Sequence, residues 1–318
     1  MPGIVPCSSA WPGQDGDVTY SIVARCPDTG MLGIAIASHV LAVGRVAPYI
    51  ESGVGAVATQ SLVLMAHGAR TLAGMRSGLA PEAALAQSID LDENPGIRQV
   101  GAVSFDGSVA AHTGDGCIPH ASHVTGVGFS AQANMMLNEG VPDAMASSFT
   151  GTVGRPLADR LLDVLDAAEA RGGDIRGRQS AALVVVAPEA TGDPLVDRVV
   201  DVRVDDSPQP LLELRRLTAL ALANQRLDVA DGLVGVGDVA GAAEAYREAT
   251  EAAPDYVEFA FWQAASLADS GAGDEARQAW QAVERSGERE RWSDLLRRCV
   301  AAGLVQPHVV TTLLGEPA

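Results

Sequence analysis

Apolar and polar positions first fall into register at Thr19. "TYSIVAR" and "MLGIAIAS" both read as strands, and "CPDTG" between them carries Pro and Gly where a turn needs them. Thr19–Ser38 is therefore predicted to be a β-hairpin. "GVGAVATQS" (Gly53–Ser61) predicts a third, buried strand. "SLVLMAHGARTLAGMRSG" and "APEAALAQSI" are helix-compatible, the second with Pro81 in its first turn. "IRQVGAVSFDGSVAAHTG" predicts two strands around an Asp106-Gly107 hairpin turn, and "VTGVGFSAQAN" one further strand. After Pro156, the residues Leu157, Leu161, Val164, Leu165 and Ala168 share one helical face. "SAALVVVAP" reads as a buried central strand and "RVVDVRVDD" as an alternating one. Strands in pairs, separated by helices, do not follow strict β-α alternation. They predict a layered α+β domain with two antiparallel sheets between helices.

The two ends of the chain differ from this middle. Residues 1–17 are rich in Pro, Gly, Ser and Asp, lack periodicity, and are predicted to be a disordered tail. From Pro210 onward the strand signal gives way to Ala, Glu and Leu. Here "GDVAGAAEAYREATEAAP" and "GAGDEARQAWQAVERSG" superpose at an offset of 34 residues. Gly237 falls on Gly271, Ala242 on Ala276, Tyr246 on Trp280 and Leu233 on Leu267. That offset is the tetratricopeptide period, although the second copy lacks a counterpart of Pro254. Two repeats are fewer than a free-standing solenoid uses, so the tail is expected to pack on the first domain or on a second subunit. "SDLLRRCVAAGLV" would be its capping helix. The expected division is a tail over 1–18, an α+β domain over 19–209 and an all-α domain over 210–318.

Composition narrows the function. The 318 residues include 47% hydrophobic positions, enough for a sizeable core, and carry a formal charge of −18. Such an acidic chain repels phosphate backbones, so nucleic acid is not an expected partner. Lysine is absent, which together with the Ala, Val, Gly, Arg and Asp bias suggests a GC-rich coding sequence. The four cysteines (Cys7, Cys26, Cys117, Cys299) are far apart and read as reduced thiols rather than a disulfide framework. No apolar run is long enough for a membrane helix, and no secretory signal is evident. The expectation is a cytoplasmic protein that contacts no membrane and needs no cofactor.

The first domain resembles the bacterial DUF1028 family, which is assigned by fold to the N-terminal-nucleophile (Ntn) hydrolase superfamily. The resemblance rests on "TYSIVAR-PDTG-LGIAIAS", "AVG" (Ala42–Gly44), "GVGAVATQ" (Gly53–Gln60) and "HTGDGCIPHASH" (His112–His123). It continues through "FSAQANM" (Phe129–Met135), "GGDIRGRQSAAL" (Gly172–Leu183) and "VDVRVDDSPQP" (Val200–Pro210). The resemblance implies a four-layer αββα sandwich, Ntn-hydrolase-like, followed by the small TPR-like domain. Relatives commonly begin Met-Thr, so it also implies that Thr19 is a nucleophile on a small amide or acyl substrate.

A terminal threonine works because its own α-amine can take the hydroxyl proton. In the sequence as written, Val18 acylates that nitrogen. If Val18 is encoded by GTG, a bacterial start codon, translation from there would place a removable Met before Thr19. Cleavage of the Val18–Thr19 bond is the other route.

Asn134, with Gln132 beside it in "SAQANM", is a candidate oxyanion donor. Ser38 and His39 end the second strand of the hairpin and are expected beside Thr19. Gln60, Gln132, Asp174 and Arg178 are candidate substrate contacts, Arg178 for a carboxylate. Each has a structural reading as well: Thr19 as a strand-edge residue, Asn134 as a helix cap, His39 as a surface histidine, Asp174 and Arg178 as a loop-holding pair. His112, Cys117, His120 and His123 have a spacing that could serve a zinc site, which would make a metal-dependent hydrolase, but they match no standard ligand signature and read better as a Gly-rich active-site loop, so no metal site is assigned. The alternative function is a non-catalytic binding or assembly protein. In that case the helical tail contacts a protein partner or a second copy of the chain.

Overall fold

The computed structural model describes residues 19–316, which form two compact units divided after Leu217. The tail expected over 1–18, and with it Cys7, lies outside the described residues.

Among the described residues of the first unit, ten strands form two antiparallel sheets. The six-stranded sheet runs β10-β9-β2-β1-β8-β7, built from β1 (Thr19–Arg25), β2 (Leu32–Ser38), β7 (Ser122–Gly126), β8 (Phe129–Asn134), β9 (Ser180–Val186) and β10 (Arg198–Val204). The four-stranded sheet runs β3-β4-β5-β6, from β3 (Pro48–Glu51), β4 (Gly55–Ser61), β5 (Arg98–Ser104) and β6 (Val109–Thr113). Four helices accompany them: α1 (Met65–Arg76), α2 (Pro81–Asp90), α3 (Val141–Gly151) and α4 (Leu157–Ala170).

Side-chain alternation explains the packing. On β4, Ala56 and Ala58 join Val23, Leu32, Ile34, Val103, Val184 and Val186 in a core between the two sheets. Val57, one residue out of phase, packs instead with Leu72 and Met75 of α1, Ala84 and Leu85 of α2, and Val100 and Ala102 of β5. On the six-stranded sheet the outward face meets α3 and α4. A side chain at Gly33 would strike Leu161 at 2.5 Å, so glycine lets α4 approach β2. Phe129 packs its ring 5.0 Å from that of Phe149 on α3. Strands β2 and β9 are buried along their whole length and β1 up to Arg25, as two covered faces require.

The structure departs from the expected elements in four places. "VTGVGFSAQAN" is two strands, because Val127 and Gly128 make a tight turn between Gly126 and Phe129; Gly128 takes φ +71° and Val127 is 99% exposed. Strand β4 starts at Gly55 rather than Gly53, and α1 starts only at Met65. β3 and α3 were not expected at all. β3 is four half-buried residues, "PYIE", too short to show a period. Strand β6 ends with His112 inside it and β7 holds His123, so those residues are not a loop.

The second unit is helical. Helix α5 (Pro210–Gly235) runs into it across the division after Leu217, later than the boundary expected at Pro210. Then follow α6 (Val239–Ala252), α7 (Val257–Asp269), α8 (Gly273–Arg285), α9 (Arg289–Ala301) and α10 (His308–Leu314). The repeat offset of 34 residues carries α6 onto α8. Ala242 and Ala276, Tyr246 and Trp280, and Ala249 and Val283 are all buried at matching positions. Phe261 lies against Trp262, Trp280 and Trp292 at the centre of this core. The expected capping segment is α9, and α10 is a further helix. Among the described residues, no helix is long and apolar enough to cross a membrane.

Candidate active site

Thr19 is the first residue of β1, and its strand is the centre of the site. Val23 faces the core between the sheets, so the alternating positions Ser21 and Thr19 face the same way. Register sets the neighbours: Thr19 lies opposite Ser38 on β2 and opposite Asn134 on β8. Its hydroxyl donates to Ser38 Oγ at 3.2 Å. Its carbonyl accepts two amide donors, Gln60 Nε2 at 3.1 Å from the facing sheet and Asn134 Nδ2 at 3.3 Å from the neighbouring strand. Thr19 is 1% exposed.

A layer of buried amides extends from this point. Gln60 Oε1 accepts from Ser21 Oγ at 2.5 Å, and Gln60 Nε2 also reaches Gln99 Oε1 at 2.6 Å. Asn134 Nδ2 shares that same Gln99 oxygen at 3.1 Å. Gln99 Nε2 in turn donates to Thr113 Oγ1 and to the carbonyls of Ser122 and Ala133. Gln132 donates to Ser21 Oγ at 2.7 Å and accepts from Ser130 Oγ. All three glutamines are fully buried with both ends of each amide occupied. Gln60 and Gln132 were expected to contact substrate; instead these bonds make them supports of the strand ends. Gln99, which the sequence reading missed, joins the two sheets. Only its polar type on an otherwise apolar strand signals it.

The backbone bends sharply next to these donors. Ser61 follows Gln60 at φ +68°, and Met135 follows Asn134 at φ +53°. Left-handed geometry at residues with a Cβ stores strain, and it tends to gather where side chains are being aimed.

His39 and Asp174 meet beside Ser38. The His39 backbone N–H donates to Asp174 Oδ2 at 2.9 Å, while Arg176 turns back on the same carboxylate. Asp174 is buried, so it acts here as an anchor for the end of β2. The His39 ring leaves its buried Nδ1 without a hydrogen-bond partner.

Arg178 does not join Thr19. It pairs with Glu169 on α4, which also accepts the Tyr20 hydroxyl at 2.6 Å. Tyr20 points to the face of β1 opposite Thr19, and burial, reinforced by Glu169, pushes its phenol well above the usual range. The expected carboxylate-binding arginine is thus already occupied by a protein carboxylate.

The histidine-rich segment separates into unrelated contacts. His112 Nε2 lies 2.9 Å from the Pro95 carbonyl, and His123 Nδ1 lies 2.8 Å from Thr113 Oγ1. His120 lies 3.5 Å from the Glu139 carboxylate, and Cys117 Sγ donates to the Arg98 carbonyl. His120, His123, Asp115 and Glu139 line an open cavity of about 840 Å³. Thr113 connects this cleft to Gln99 and so to the amide layer. Among the described residues, no group of three His, Cys, Asp or Glu side chains could hold a metal ion.

A Ser–His–Asp arrangement also escaped the sequence reading. His67 on α1 lies 2.9 Å from Ser88 Oγ on α2 and 2.8 Å from Asp92, which Arg98 grips at 2.7 Å. His67 is 0% and Ser88 1% exposed, so this set pins two helices to β5 and offers no surface to a substrate.

Residues 19–214 match the family model DUF1028, described as a family of unknown function. The chain belongs to the DUF1028 family. A crystal structure of another DUF1028 protein, SPO2555 from Silicibacter pomeroyi, is similar at a TM-score of 0.57 and 31% sequence identity. That similarity covers 63% of this chain and 84% of the other. No curated protein matches this chain.

Proposed function

We propose that this DUF1028 protein is an Ntn-type amidohydrolase that cleaves a small amide or acyl compound with Thr19 as nucleophile. What carries the reading is the convergence of Ser38, Asn134 and Gln60 on the first residue of β1, where the family match also begins. The two facing sheets, flanked by α1 and α2 on one and by α3 and α4 on the other, suit the αββα sandwich of that superfamily. The buried small and aromatic residues repeated between α6 and α8 suit a TPR-like tail.

The chemistry requires a free α-amine on Thr19. That amine titrates at about 7.7–8.0 in model compounds, well placed to take the hydroxyl proton near neutral pH. Oγ then attacks the substrate carbonyl, and backbone N–H groups stabilise the oxyanion. The amine returns the proton to the leaving nitrogen, and water releases the acyl group from Oγ. Ser38 holds the hydroxyl in place. Asn134 and Gln60 already donate to the Thr19 carbonyl, so their part is to fix the direction of the residue.

The burial of Thr19 favours a second reading, a non-catalytic scaffold in which the helical tail binds a partner. One experiment separates the two. The protein is made from its own gene and ribosome-binding site, its N-terminus and intact mass are determined, and it is treated with a β-lactone probe. A chain beginning at Thr19 that gains one probe mass on that residue, lost in Thr19→Ala, supports the hydrolase. A chain still carrying Val18, with no adduct, overturns it.

A further inference from the structure

We propose that the site at Thr19 accepts an amide carrying a hydrocarbon group, and that Ile175, Leu137 and Ile118 form the subsite for that group. This rests on the hydrolase reading of Thr19 and adds the substrate class to it.

The subsite follows from how the strand ends are fastened. β1 lies between β2 and β8, so Thr19 has the exit of β2 on one side and the exit of β8 on the other. Both exits are tied to one short segment. On the β2 side, the His39 N–H donates to Asp174 Oδ2 at 2.9 Å. On the β8 side, Met136 pairs with Asp174 as an antiparallel bridge. There the Leu137 N–H donates to the Gly173 carbonyl at 3.0 Å, and the Ile175 N–H to the Met135 carbonyl at 3.4 Å. A segment held from both sides of β1 crosses the end of β1, in front of Thr19. Gly173 at φ +60° and Gly177 at φ +109° let the chain turn into this arch and out of it.

The arch presents hydrocarbon rather than charge. Its two charged side chains, Asp174 and Arg176, are paired with each other, and Asp174 is buried. Ile175, between them, is 56% exposed. Ile118 lies on the other side of Met135, whose N–H donates to the Ile118 carbonyl at 3.1 Å. Ile118 is 41% exposed, and Leu137, two residues beyond Met135, is 52% exposed. Three large apolar side chains thus stand open to water around the chain leaving Asn134, the partner of Thr19. The side-chain amides of Gln60 and Asn134 are already bonded within the protein. Such a surface holds a ligand by apolar contact, with few polar groups to orient it.

The test titrates acetamide, butanamide and hexanamide into the full chain made from its own gene, followed by ligand-observed NMR. In parallel, Thr19 labelling is repeated with β-lactones of increasing alkyl length. A fully buried methylene strengthens binding about fourfold, so on this half-open surface hexanamide is expected to bind at least about tenfold more tightly than acetamide. Ile175→Ser and Leu137→Ser, both at exposed positions, should each remove much of that gain. Phe105→Ser should leave it intact, since Phe105 follows β5 at the end away from Gln99. A smaller gain in the unmutated protein, or one that survives both serine variants, overturns the subsite even where Thr19 is labelled. Length-dependent amide binding by a protein whose Thr19 takes up no lactone supports the subsite and overturns the nucleophile.

Discussion

Asn134 lies directly across from Thr19 on the neighbouring strand, and its side-chain amide donates to the Thr19 carbonyl at 3.3 Å. The same nitrogen reaches Gln99 Oε1, so one amide ties the start of β1 to the facing sheet. Replacing it by alanine leaves buried acceptors with fewer donors and should cost about 1–3 kcal/mol. Asn134→Asp should cost more, because a carboxylate would then face two oxygen acceptors. Urea denaturation of the two variants beside the parent chain measures both. An aspartate variant as stable as the parent would show that the amide does not make these bonds.

Gly101 is the gap that admits the amide layer. A Cβ at that position would lie 2.2 Å from Gln132 Oε1 and 2.6 Å from its Cδ. Gln132 cannot simply swing away, since Ser21 and Ser130 hold it from two sides. Gly101→Ala is therefore expected to destabilise the first unit by about 1–3 kcal/mol through overpacking. Gly101→Ala combined with Gln132→Ala should recover part of that loss, because the clash is removed with the side chain. The thermal midpoints of both variants give the answer, and equal midpoints would place the strain elsewhere.

How far the sequence foretells this site depends on which physical signal each residue carries. The β1–β2 hairpin was legible because alternation and the "CPDTG" turn act over short distances, and Ser38 came to Thr19 through that hairpin's register alone. Asn134 was legible only through the family motif, since nothing local says that β8 pairs with β1. Gln99 and the His67–Ser88–Asp92 set depend on contacts between elements far apart in the chain, which periodicity cannot report. Arg178 misled for the same reason. Its partner, Glu169, sits on a helix whose apolar face was visible but whose carboxylate had no sequence mark. The Val127–Gly128 turn, by contrast, carries a local signal in Gly126 and Gly128, set within a run whose apolar positions look like one long strand.

The His67–Asp92 pair makes stability sensitive to acid. Burial, the largest influence, holds the His67 pKa below its ordinary 6.5 despite the neighbouring Asp92. Burial acts to raise the Asp92 carboxyl, but hydrogen bonds from Arg98, Asn94 and His67 hold it far below the ordinary carboxylate range. Both folded values are depressed, so both contributions are complete above the unfolded pKa and disappear as pH falls through the folded one. The histidine part should be lost first, starting near pH 6.5, and the aspartate part below about pH 4. Denaturation midpoints taken from pH 7.5 to 5 should fall, and His67→Gln should flatten that slope while lowering stability at pH 7.5. A parent protein with a constant midpoint over this range would refute the assignment.

Trp280 tests the helical unit by itself. It occupies the repeat position that Tyr246 occupies on α6, is 2% exposed and packs 6.1 Å from the Phe261 ring. Removing so large a buried ring should cost about 3–5 kcal/mol. Trp280→Phe retains most of the apolar contact, and the indole Nε1 it deletes is buried without a hydrogen-bond partner, so no bond is lost with it. The phenylalanine variant should therefore be markedly more stable than Trp280→Ala. Tyr246→Phe behaves differently, because it deletes a hydrogen bond from the Tyr246 hydroxyl to the exposed Asp231 carboxylate, worth about 0.5–1.5 kcal/mol net. Circular dichroism at 222 nm across a urea gradient distinguishes the three. If the two phenylalanine variants lose equal stability, the matching positions of the repeat do not differ in the way their polar contacts require.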